Sequence, residues 1–314
     1  MLHLLSVKTI KELLARHDAA ALKRFGQNFL INQNVLQKII GAAELSGGET
    51  VLEIGPGVGT LTRELAKHAK KVIAVEMDRK MVEILKETMA DCKNIEIIQG
   101  DILKLNSWPI EQLNNYKIVA NLPYNIATAV IRKFLEMKNQ PSEMILMLQK
   151  EVARRICASP VRSSSKAGKG GQNTRMSLLA VSVQFYARPK IISYVAKGSF
   201  WPQPKVDSAI IKIIPHQTSL PLYKRGTEGD FINPSYPPFT KGGEKKFFMV
   251  LHAGFSAPRK QLINNLSKKL NVDRQIIKET LKKIGLAPAR RAQTLELEDW
   301  IRLSDLLKTI KPSP

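Results

Sequence analysis

Cysteine is scarce in this chain, and long apolar runs are missing. Cys92 and Cys157 are the only cysteines among 314 residues, too few for a disulfide framework or a cysteine-rich metal site. No apolar run approaches the roughly 18 residues that a membrane-spanning helix needs. Lys8, Lys11 and Arg16 interrupt the apolar N-terminal residues, which favours an amphipathic helix over a secretory signal. We therefore expect a soluble protein of the reducing cytoplasm, without a bound metal.

Acidic residues are also few. The chain has 49 Lys and Arg against 27 Asp and Glu, which gives a formal net charge of +22 and a pI of about 10.0. Such a surplus attracts polyanions, and phosphate contacts make the affinity for nucleic acid fall steeply with salt. The charge favours a nucleic-acid-binding protein, although a basic protein without such a partner would show the same composition.

The length of the chain allows one large α/β unit and a smaller second unit. Short runs rich in Val and Ile alternate with amphipathic segments, which indicates β-α units around a mostly parallel sheet. Strands are predicted at 50–54, 71–76, 95–99, 117–121 and 143–148, and helices at 33–45, 60–69, 79–91, 127–137 and 149–158. The runs 191–197 and 208–214 predict a terminal hairpin, so that the last strand is antiparallel.

Two stretches interrupt this pattern. Residues 162–174 are rich in Ser, Lys and Gly, which predicts a flexible basic loop. The Pro and Gly residues of 217–243 predict a linker, and apolar residues at helical spacing follow it. The predicted organisation is an N-terminal helical extension at 1–21, a catalytic domain at 22–216, the linker at 217–243 and an α-helical domain at 244–314.

A glycine-rich turn, Glu53-Ile54-Gly55-Pro56-Gly57-Val58-Gly59, follows a predicted strand. Glycine lets the backbone approach a ligand closely where a strand passes into a helix. The spacing is G-x-G-x-G rather than the G-x-G-x-x-G of dinucleotide-binding folds. It suits the amino-acid and ribose portions of S-adenosylmethionine, with Gly55 and Gly57 at the cofactor. A purely structural strand-to-helix turn is the alternative.

Acidic residues follow the next two strands. Glu76 lies 21 positions after Gly55, where an acidic residue receives ribose hydroxyls. Asp101 follows the third strand, where its carboxylate could accept a hydrogen bond from the adenine amine of the cofactor. Each acid alone could be a helix cap or a solvated loop residue. Because the carboxyl ends of parallel strands meet at one crevice, the three features together predict a cofactor site.

The tetrad Asn121-Leu122-Pro123-Tyr124 ends the fourth strand, at the same predicted edge. A carboxamide oxygen beside a main-chain carbonyl suits the exocyclic amine of a flipped-out adenine. Hydrogen bonds from N6 to these oxygens would favour a more pyramidal nitrogen and would stabilise the charge that develops during attack on a sulfonium methyl. Pro123 would stiffen the turn, and Tyr124 would stack on the base. Otherwise the tetrad is a strand followed by a proline turn, with Tyr124 in the core.

Two further sets of side chains complete the candidate site. Phe200 lies beside two prolines between the last two strands, and would either cover the second face of the base or be an exposed aromatic in loop packing. Basic side chains flanking the pocket are candidate phosphate contacts, and the alternative for each is a solvated helix face. They are Lys23, Arg24, Arg154, Arg155, Arg259 and Lys260.

These motifs, in their order, resemble the ribosomal small-subunit RNA adenine dimethyltransferase family over about residues 22–310. The similar segments are Arg24–Leu30, Glu53–Thr62, Val75–Asp78, Gly100–Asp101, Asn121–Ile126, Leu148–Ile156 and Phe200–Ser208. The resemblance implies a class I S-adenosylmethionine-dependent methyltransferase fold: α/β, Rossmann-like, with a mostly parallel sheet, an antiparallel terminal strand and a small α-helical C-terminal domain. Ala257–Lys260 is less basic than the family's pattern, and 162–174 and 217–243 are longer.

The resemblance also implies the activity, which is dimethylation of N6 on two adjacent adenosines in the 3′-terminal hairpin of 16S rRNA, in the small-subunit precursor. It implies base stacking by Tyr124 and Phe200. The implied S-adenosyl-L-methionine contacts are Asn28, Leu30, Gly55, Glu76, Asp101 and Asn121. We expect a monomer without membrane attachment.

Two alternative functions share these motifs. One is a large-subunit rRNA adenine methyltransferase, although Lys205-Val206-Asp207-Ser208 and the 259–266 helix resemble the small-subunit group more closely. The other is a non-catalytic ribosome-assembly or transcription factor with the same fold, against which the intact Glu76, Asp101 and Asn121–Tyr124 tetrad argue.

Overall fold

The computed structural model describes residues 2–19, 27–105, 113–159, 175–216 and 243–307. The chain divides into two compact units. The first, here called the sheet unit, comprises Met1–Cys157 and Tyr186–Pro215, and the second, the helical unit, comprises Ala158–Phe185 and His216–Pro314. The segment 158–185 therefore groups with the C-terminal helices, although the sequence predicted one continuous catalytic domain at 22–216. The predicted extension at 1–21 groups with the sheet unit.

The sheet unit is built on seven hydrogen-bonded strands, with a separate two-stranded sheet beside them. The strands in chain order are β1 (Phe29–Leu30), β2 (Thr50–Ile54), β3 (Lys71–Glu76), β4 (Ile95–Gln99), β5 (Tyr116–Asn121), β6 (Glu143–Gln149), β7 (Ala187–Val195), β8 (Phe200–Trp201) and β9 (Ser208–Pro215). The order in the large sheet is β4-β3-β2-β5-β6-β9-β7. Strands β2 to β6 are parallel to one another, and β9 is antiparallel to both β6 and β7. The predicted fold class, with its antiparallel terminal hairpin, is confirmed.

Helices of the sheet unit follow the predicted alternation. They are α1 (Val7–Arg16), α2 (Gln33–Ala43), α3 (Thr60–His68), α4 (Arg79–Thr88), α5 (Ala127–Glu136) and α6 (Lys150–Ile156). Asn32 caps α2, because its side chain accepts a hydrogen bond from Val35 N at 3.2 Å. The helix ends two residues before the predicted position 45, since Glu44 adopts the left-handed conformation with φ 46°.

The N-terminal helix α1 is amphipathic, as the sequence predicted. Its buried residues Ile10, Leu13 and Leu14 join the apolar cluster that contains α4. Outside that cluster, His17 Nε2 lies 2.6 Å from Glu87 Oε2. The extension is therefore a packed part of the sheet unit.

The direction of the chain reverses in the middle of the large sheet. From β2 the chain moves outward through β3 to β4, and then returns to place β5 on the other side of β2. The carboxyl ends of β2 and β5 thus diverge at a switch point, which is where open α/β sheets bind ligands. Gly55 follows β2 there, and Asn121 ends β5.

The helical unit packs its helices around Trp300 and Phe247, which are both buried. The helices are α7 (Leu178–Tyr186), α8 (Gly243–Phe255), α9 (Leu262–Leu270), α10 (Arg274–Lys283) and α11 (Leu297–Leu306). The sequence did not predict α7, because 178–186 is apolar around the whole helix and lacks amphipathic spacing. Residues 162–174 and 217–242, predicted as a loop and a linker, lie outside the described residues.

Candidate active site

A pocket of about 250 Å³ lies at the carboxyl ends of β2, β3, β4 and β5. Segments that are far apart in the sequence line it. They are residues 27–30, 53–58, 60–61, 75–78, 100–103 and 121–126. The structure thus brings together every predicted cofactor residue and the whole Asn121–Tyr124 tetrad.

The glycine turn needs glycine for both conformation and space. Gly57 and Gly59 have φ values of 58° and 88°, in the left-handed region that favours glycine. A Cβ at Gly59 would lie 2.8 Å from Leu85 Cδ1, and one at Gly57 would lie 3.2 Å from Phe29 Cε1. Gly57 therefore presents backbone to the pocket, and Gly59 lets the turn pack closely against Leu85 of α4.

Glu76 ends β3 with its carboxyl group fixed by the backbone. Its Oε1 accepts a hydrogen bond from Asp78 N at 2.9 Å, and its Oε2 accepts one from Gly57 N at 3.1 Å. Burial raises the pKa of Glu76, and these N–H groups oppose the change. Each carboxyl oxygen can accept more than one hydrogen bond, so the group can still receive the two hydroxyls of a ribose.

Glu53 precedes the glycine turn, and its sequence pattern predicts no role for it. It lines the pocket, is 1 % exposed, and its Oε2 has no hydrogen-bond partner within the described ranges. Burial raises the pKa of Glu53 to about 8, and the nearby Glu76 carboxylate acts in the same direction. Glu53 is therefore a neutral acid at pH 7. The signal that was available is its place at the end of a buried strand beside the turn.

Asp101 combines a place in the pocket wall with a hydrogen bond in the turn after β4, and its contact with the adenine amine stays a prediction. It lines the pocket, and its Oδ1 accepts a hydrogen bond from Leu103 N at 2.9 Å, which closes the turn after β4. Lys133 of α5 fixes this turn, because its Nζ donates to Ile102 O at 2.7 Å and Leu105 O at 2.5 Å. The sequence could not indicate Lys133, since the contact joins residues about thirty positions apart.

The apolar walls of the pocket were not predicted from the sequence. Met77 lines it with a side chain that is 48 % exposed, and Ile102 lines it from the turn after β4. Each directly follows a predicted acid, Glu76 or Asp101, so adjacency to those acids was the available signal. The pocket thus combines apolar side chains with carboxyl groups.

Asn121 is oriented by the segment before β1. Its Nδ2 donates to Asn28 O at 3.1 Å, so the amide donor is committed to the protein. Its Oδ1 makes no hydrogen bond within the part of the chain that the structure describes. Pro123 contacts the glycine turn, since a Cβ at Gly55 would lie 3.4 Å from Pro123 Cδ. The tetrad and the turn therefore form adjoining walls of one pocket.

Tyr124 is held by a hydrogen bond rather than by burial in the core. Its hydroxyl oxygen lies 2.7 Å from Ser208 Oγ at the start of β9. Burial raises the pKa of Tyr124, so the phenol is neutral at physiological pH. The ring is half-buried and lines the pocket next to Asn121.

A model of the ribosomal RNA adenine dimethylase family matches residues 19–225 of the chain. The chain belongs to this family. Among its curated relatives, the ribosomal RNA small subunit methyltransferase A of Dehalococcoides mccartyi (strain CBDB1) is 43 % identical over 296 residues, covering 93 % of this chain and 90 % of that protein. The protein of the same name from Clostridium botulinum (strain Okra / Type B1) is 38 % identical over 301 residues, covering 96 % of this chain and 98 % of that protein. S-adenosylmethionine is the cofactor of such enzymes.

Two solved structures share the fold of this family member. A dimethyladenosine transferase from Plasmodium falciparum has a TM-score of 0.67 and 27 % identity, covering 87 % of this chain and 95 % of that chain. The 23S rRNA methyltransferase ErmE has a TM-score of 0.65 and 25 % identity, covering 90 % of this chain and 100 % of that chain. Because a 23S rRNA enzyme shares the fold, the fold alone does not select the RNA.

Phe200 of this family member differs from the prediction of an exposed loop aromatic. It lies in β8, is 3 % exposed and packs in an apolar cluster with Leu30 and Val195. The alternative of an exposed loop aromatic does not hold, because β8 pairs with β1 and Phe200 is buried. Phe200 does not line the pocket, and its stacking on a base stays a prediction.

The predicted phosphate contacts are distributed over the chain. Arg154 and Arg155 lie in α6 of the sheet unit, and Arg259 and Lys260 lie between α8 and α9 of the helical unit. Lys23 and Arg24 lie outside the described residues. All six roles stay predictions.

The described residues contain no group of three or more His, Cys, Asp or Glu side chains that could hold a metal ion. No helix within the same ranges is long and apolar enough to cross a membrane.

Proposed function

We propose that this chain uses S-adenosyl-L-methionine to dimethylate N6 of two adjacent adenosines in the 3′-terminal hairpin of 16S rRNA, within the precursor of the small ribosomal subunit. The observation that carries the proposal is the arrangement of Asn121, whose Nδ2 is committed to Asn28 O at 3.1 Å while its Oδ1 is left for a ligand at the pocket. An adenine amine donates hydrogen bonds and so needs such an acceptor.

The tetrad explains how the base becomes reactive. The Asn121 oxygen and a neighbouring main-chain carbonyl accept the N6–H groups, which holds the nitrogen lone pair toward the methyl donor and stabilises the positive charge that grows on nitrogen. The protein does not need to remove a proton before transfer, because methylated N6 is far more acidic than the free amine. Tyr124, anchored to Ser208, supplies a stacking surface for a base taken out of its helix.

The pocket fits the cofactor at both ends. The backbone of Gly55 and Gly57 passes close to a ligand, Glu76 would receive the ribose hydroxyls, and Asp101 would accept from the adenine amine. Asn28 and Leu30 contribute the wall before and within β1. When bound, the cofactor supplies an electrophilic methyl group.

The choice of small-subunit RNA rests on similarity over nearly the whole chain to proteins named for that subunit. Large-subunit RNA is the second candidate, because the ErmE structure shares the fold over 90 % of this chain. A non-catalytic assembly or transcription factor would have no use for a buried, oriented Glu76 beside an unpaired Asn121 oxygen. We include in the proposal a cytoplasmic, monomeric enzyme.

Methyl transfer to defined particles tests this proposal. Purified chain and labelled S-adenosylmethionine are incubated with small and large subunits from cells that lack the modification, and the labelled nucleotides are mapped. Two adjacent dimethyladenosines in the 3′-terminal hairpin of 16S rRNA are expected. Label in the large subunit alone would select the second candidate, and no label in either would contradict an enzymatic role.

A further inference from the structure

We propose that Tyr194, Lys150 and Arg154 form a docking surface for single-stranded RNA beside the target adenosine, which we call the Tyr194 surface. In it, the Tyr194 ring stacks on a base that flanks the target, Arg154 contacts the adjoining phosphate, and Lys150 anchors the surface. This inference rests on the proposed function and names how the same site holds its RNA.

Tyr194 exposes a large aromatic ring to solvent. The side chain is 50 % exposed on β7, which is the last strand in the sheet order and therefore an edge. Lys150 Nζ lies 5.4 Å from the centroid of the ring, and Arg154 Cζ lies 5.8 Å from it. Both distances are within the range of cation–π attraction. An exposed ring combined with two cations is the composition by which proteins bind single-stranded nucleic acid.

Arg154 has no counter-ion among the residues that the structure describes. No carboxylate pairs with its guanidinium among the described residues, and its buried Nε has no hydrogen-bond partner there. Lys150 differs, because its Nζ lies 3.2 Å from Asp207 Oδ2. A half-buried guanidinium without an acceptor is costly unless a ligand supplies one, and a phosphate does so with bidentate geometry. Lys150 thus anchors the surface, and Arg154 is its available binding group.

The Tyr194 surface lies at the carboxyl end of β7, on the same side of the sheet as the strand ends that line the pocket. Tyr194 is the penultimate residue of β7, and the last residue, Val195, pairs with Ser208. Ser208 is also the partner of the Tyr124 hydroxyl, and Lys150 N donates to Asp207 O at 3.0 Å. With strands about 4.8 Å apart and residues about 3.4 Å apart along each strand, Tyr194 is only a few backbone steps from Tyr124. That separation fits a neighbouring nucleotide rather than a distant helix of the RNA.

An acidic protein segment is the other occupant that the cations would accept. It gives no reason for an exposed aromatic ring beside two cations, whereas RNA uses both the ring and the charges. RNA also matches the net charge of +22.

Binding over a salt series tests the Tyr194 surface. The full chain is titrated, with S-adenosylhomocysteine present, against a hairpin RNA that carries two unpaired adenosines. Tyr194→Leu, which removes the ring and keeps an apolar side chain, should weaken binding roughly 5- to 100-fold, and Tyr194→Phe should restore it. Arg154→Gln should weaken binding and reduce the salt slope by about one phosphate contact. Arg188→Gln is the matched control, because Arg188 is exposed on the same strand at the opposite end.

The outcomes separate this inference from the function on which it rests. Parent-like binding by Tyr194→Leu, in a parent that methylates small-subunit particles, would overturn the Tyr194 surface alone. Unchanged hairpin binding together with weaker binding to whole particles would mean a protein occupant and would also overturn it. A parent that binds the hairpin through Tyr194 and methylates nothing would contradict the proposed function instead. Unchanged thermal midpoints for each variant exclude unfolding as the cause.

Discussion

The two units treat their buried polar side chains differently. In the helical unit, Asn265 is 4 % exposed, and its Nδ2 donates to Gly254 O at 2.7 Å and to Ala257 O at 3.0 Å. The buried hydroxyls of Thr280 and Ser304 donate to carbonyls of the preceding helical turn. The hydrogen bonds of these groups stabilise the helical unit.

The sheet unit has polar oxygens at its pocket that make no hydrogen bond among the described residues. Asn121 shares the residue type of Asn265, yet only its Nδ2 is used, and its oxygen is left for a ligand. Glu53 is a buried acid, and its Oε2 has no hydrogen-bond partner among the described residues. In the described helical unit, the buried atom without a hydrogen-bond partner is Trp300 Nε1, which belongs to a neutral group. Leaving such groups unsatisfied costs stability, and at the pocket a ligand can supply the missing partners. The same residue type therefore uses its amide to stabilise one unit, and at the pocket of the other unit it keeps an oxygen that makes no hydrogen bond among the described residues.

Replacing Asn121 should have the largest effect on turnover. Asn121→Ala removes the oxygen that stabilises charge at N6, and the loss should be about 100- to 1000-fold in turnover, as for other groups that act on developing charge. RNA affinity should change little. Single-turnover methyl transfer measures the first quantity and RNA titration the second, with Asn34→Ala on the exposed face of α2 as control. Turnover equal to that of the parent would remove Asn121 from the chemistry.

Replacing Asn265 should give the opposite pattern. Asn265→Ala leaves the carbonyls of Gly254 and Ala257 without their donor, which should cost about 2–3 kcal/mol of folding free energy. Methyl transfer per folded molecule should be retained. Denaturant unfolding measures the first quantity, and the neighbouring, less buried Asn264→Ala serves as control. The comparison between the units fails if Asn265→Ala instead lowers turnover without changing stability.

Most strands and helices of the sheet unit could be predicted because each carries its own periodic pattern. The exceptions are the two-residue strands β1 and β8, which were not predicted, and β7, which begins at Ala187 rather than at the predicted 191. The buried runs of β2 and β3 were predicted with the observed bounds. Helix α7 could not be, since it is apolar on all sides, and the grouping of Ala158–Phe185 with the helical unit depends on contacts that a linear pattern does not contain. Local periodicity thus indicates elements and not their partners.

The pocket shows the same limit at the level of single residues. Gly57, Glu76 and Asn121 were predicted to share a site because parallel strands bring their carboxyl ends together, and the structure places them so. The inward turn of Phe200 depends on pairing with β1, and the role of Lys133 depends on carbonyls about thirty positions away. Neither the pairing of β8 with β1 nor the contacts of Lys133 can be predicted from the neighbouring residues in the sequence.

Glu76 tests whether the pocket's fixed acid serves the cofactor. Glu76→Ala should weaken S-adenosylmethionine binding by about 1.5–3 kcal/mol, the contribution of hydrogen bonds to a charged group. Glu76→Gln keeps one acceptor and should lose less. Calorimetry measures both affinities, and Glu83→Ala on the exposed face of α4 is the control. Unchanged affinity in Glu76→Ala would remove the residue from the cofactor site.

Glu53 tests whether a buried acid without a hydrogen-bond partner at its Oε2 lowers the unfolding free energy of the sheet unit. Its pKa is about 8 in the folded chain and near 4.5 when unfolded, so between these values the folded state holds one proton more. Stability should therefore fall as pH rises through this window, by about 1.4 kcal/mol between pH 6 and pH 7. Glu53→Gln cannot ionise and should lack this part of the slope. The difference between the two unfolding curves, measured without cofactor, cancels the other titrating groups, and parallel curves would mean that Glu53 is ionised in the folded pocket.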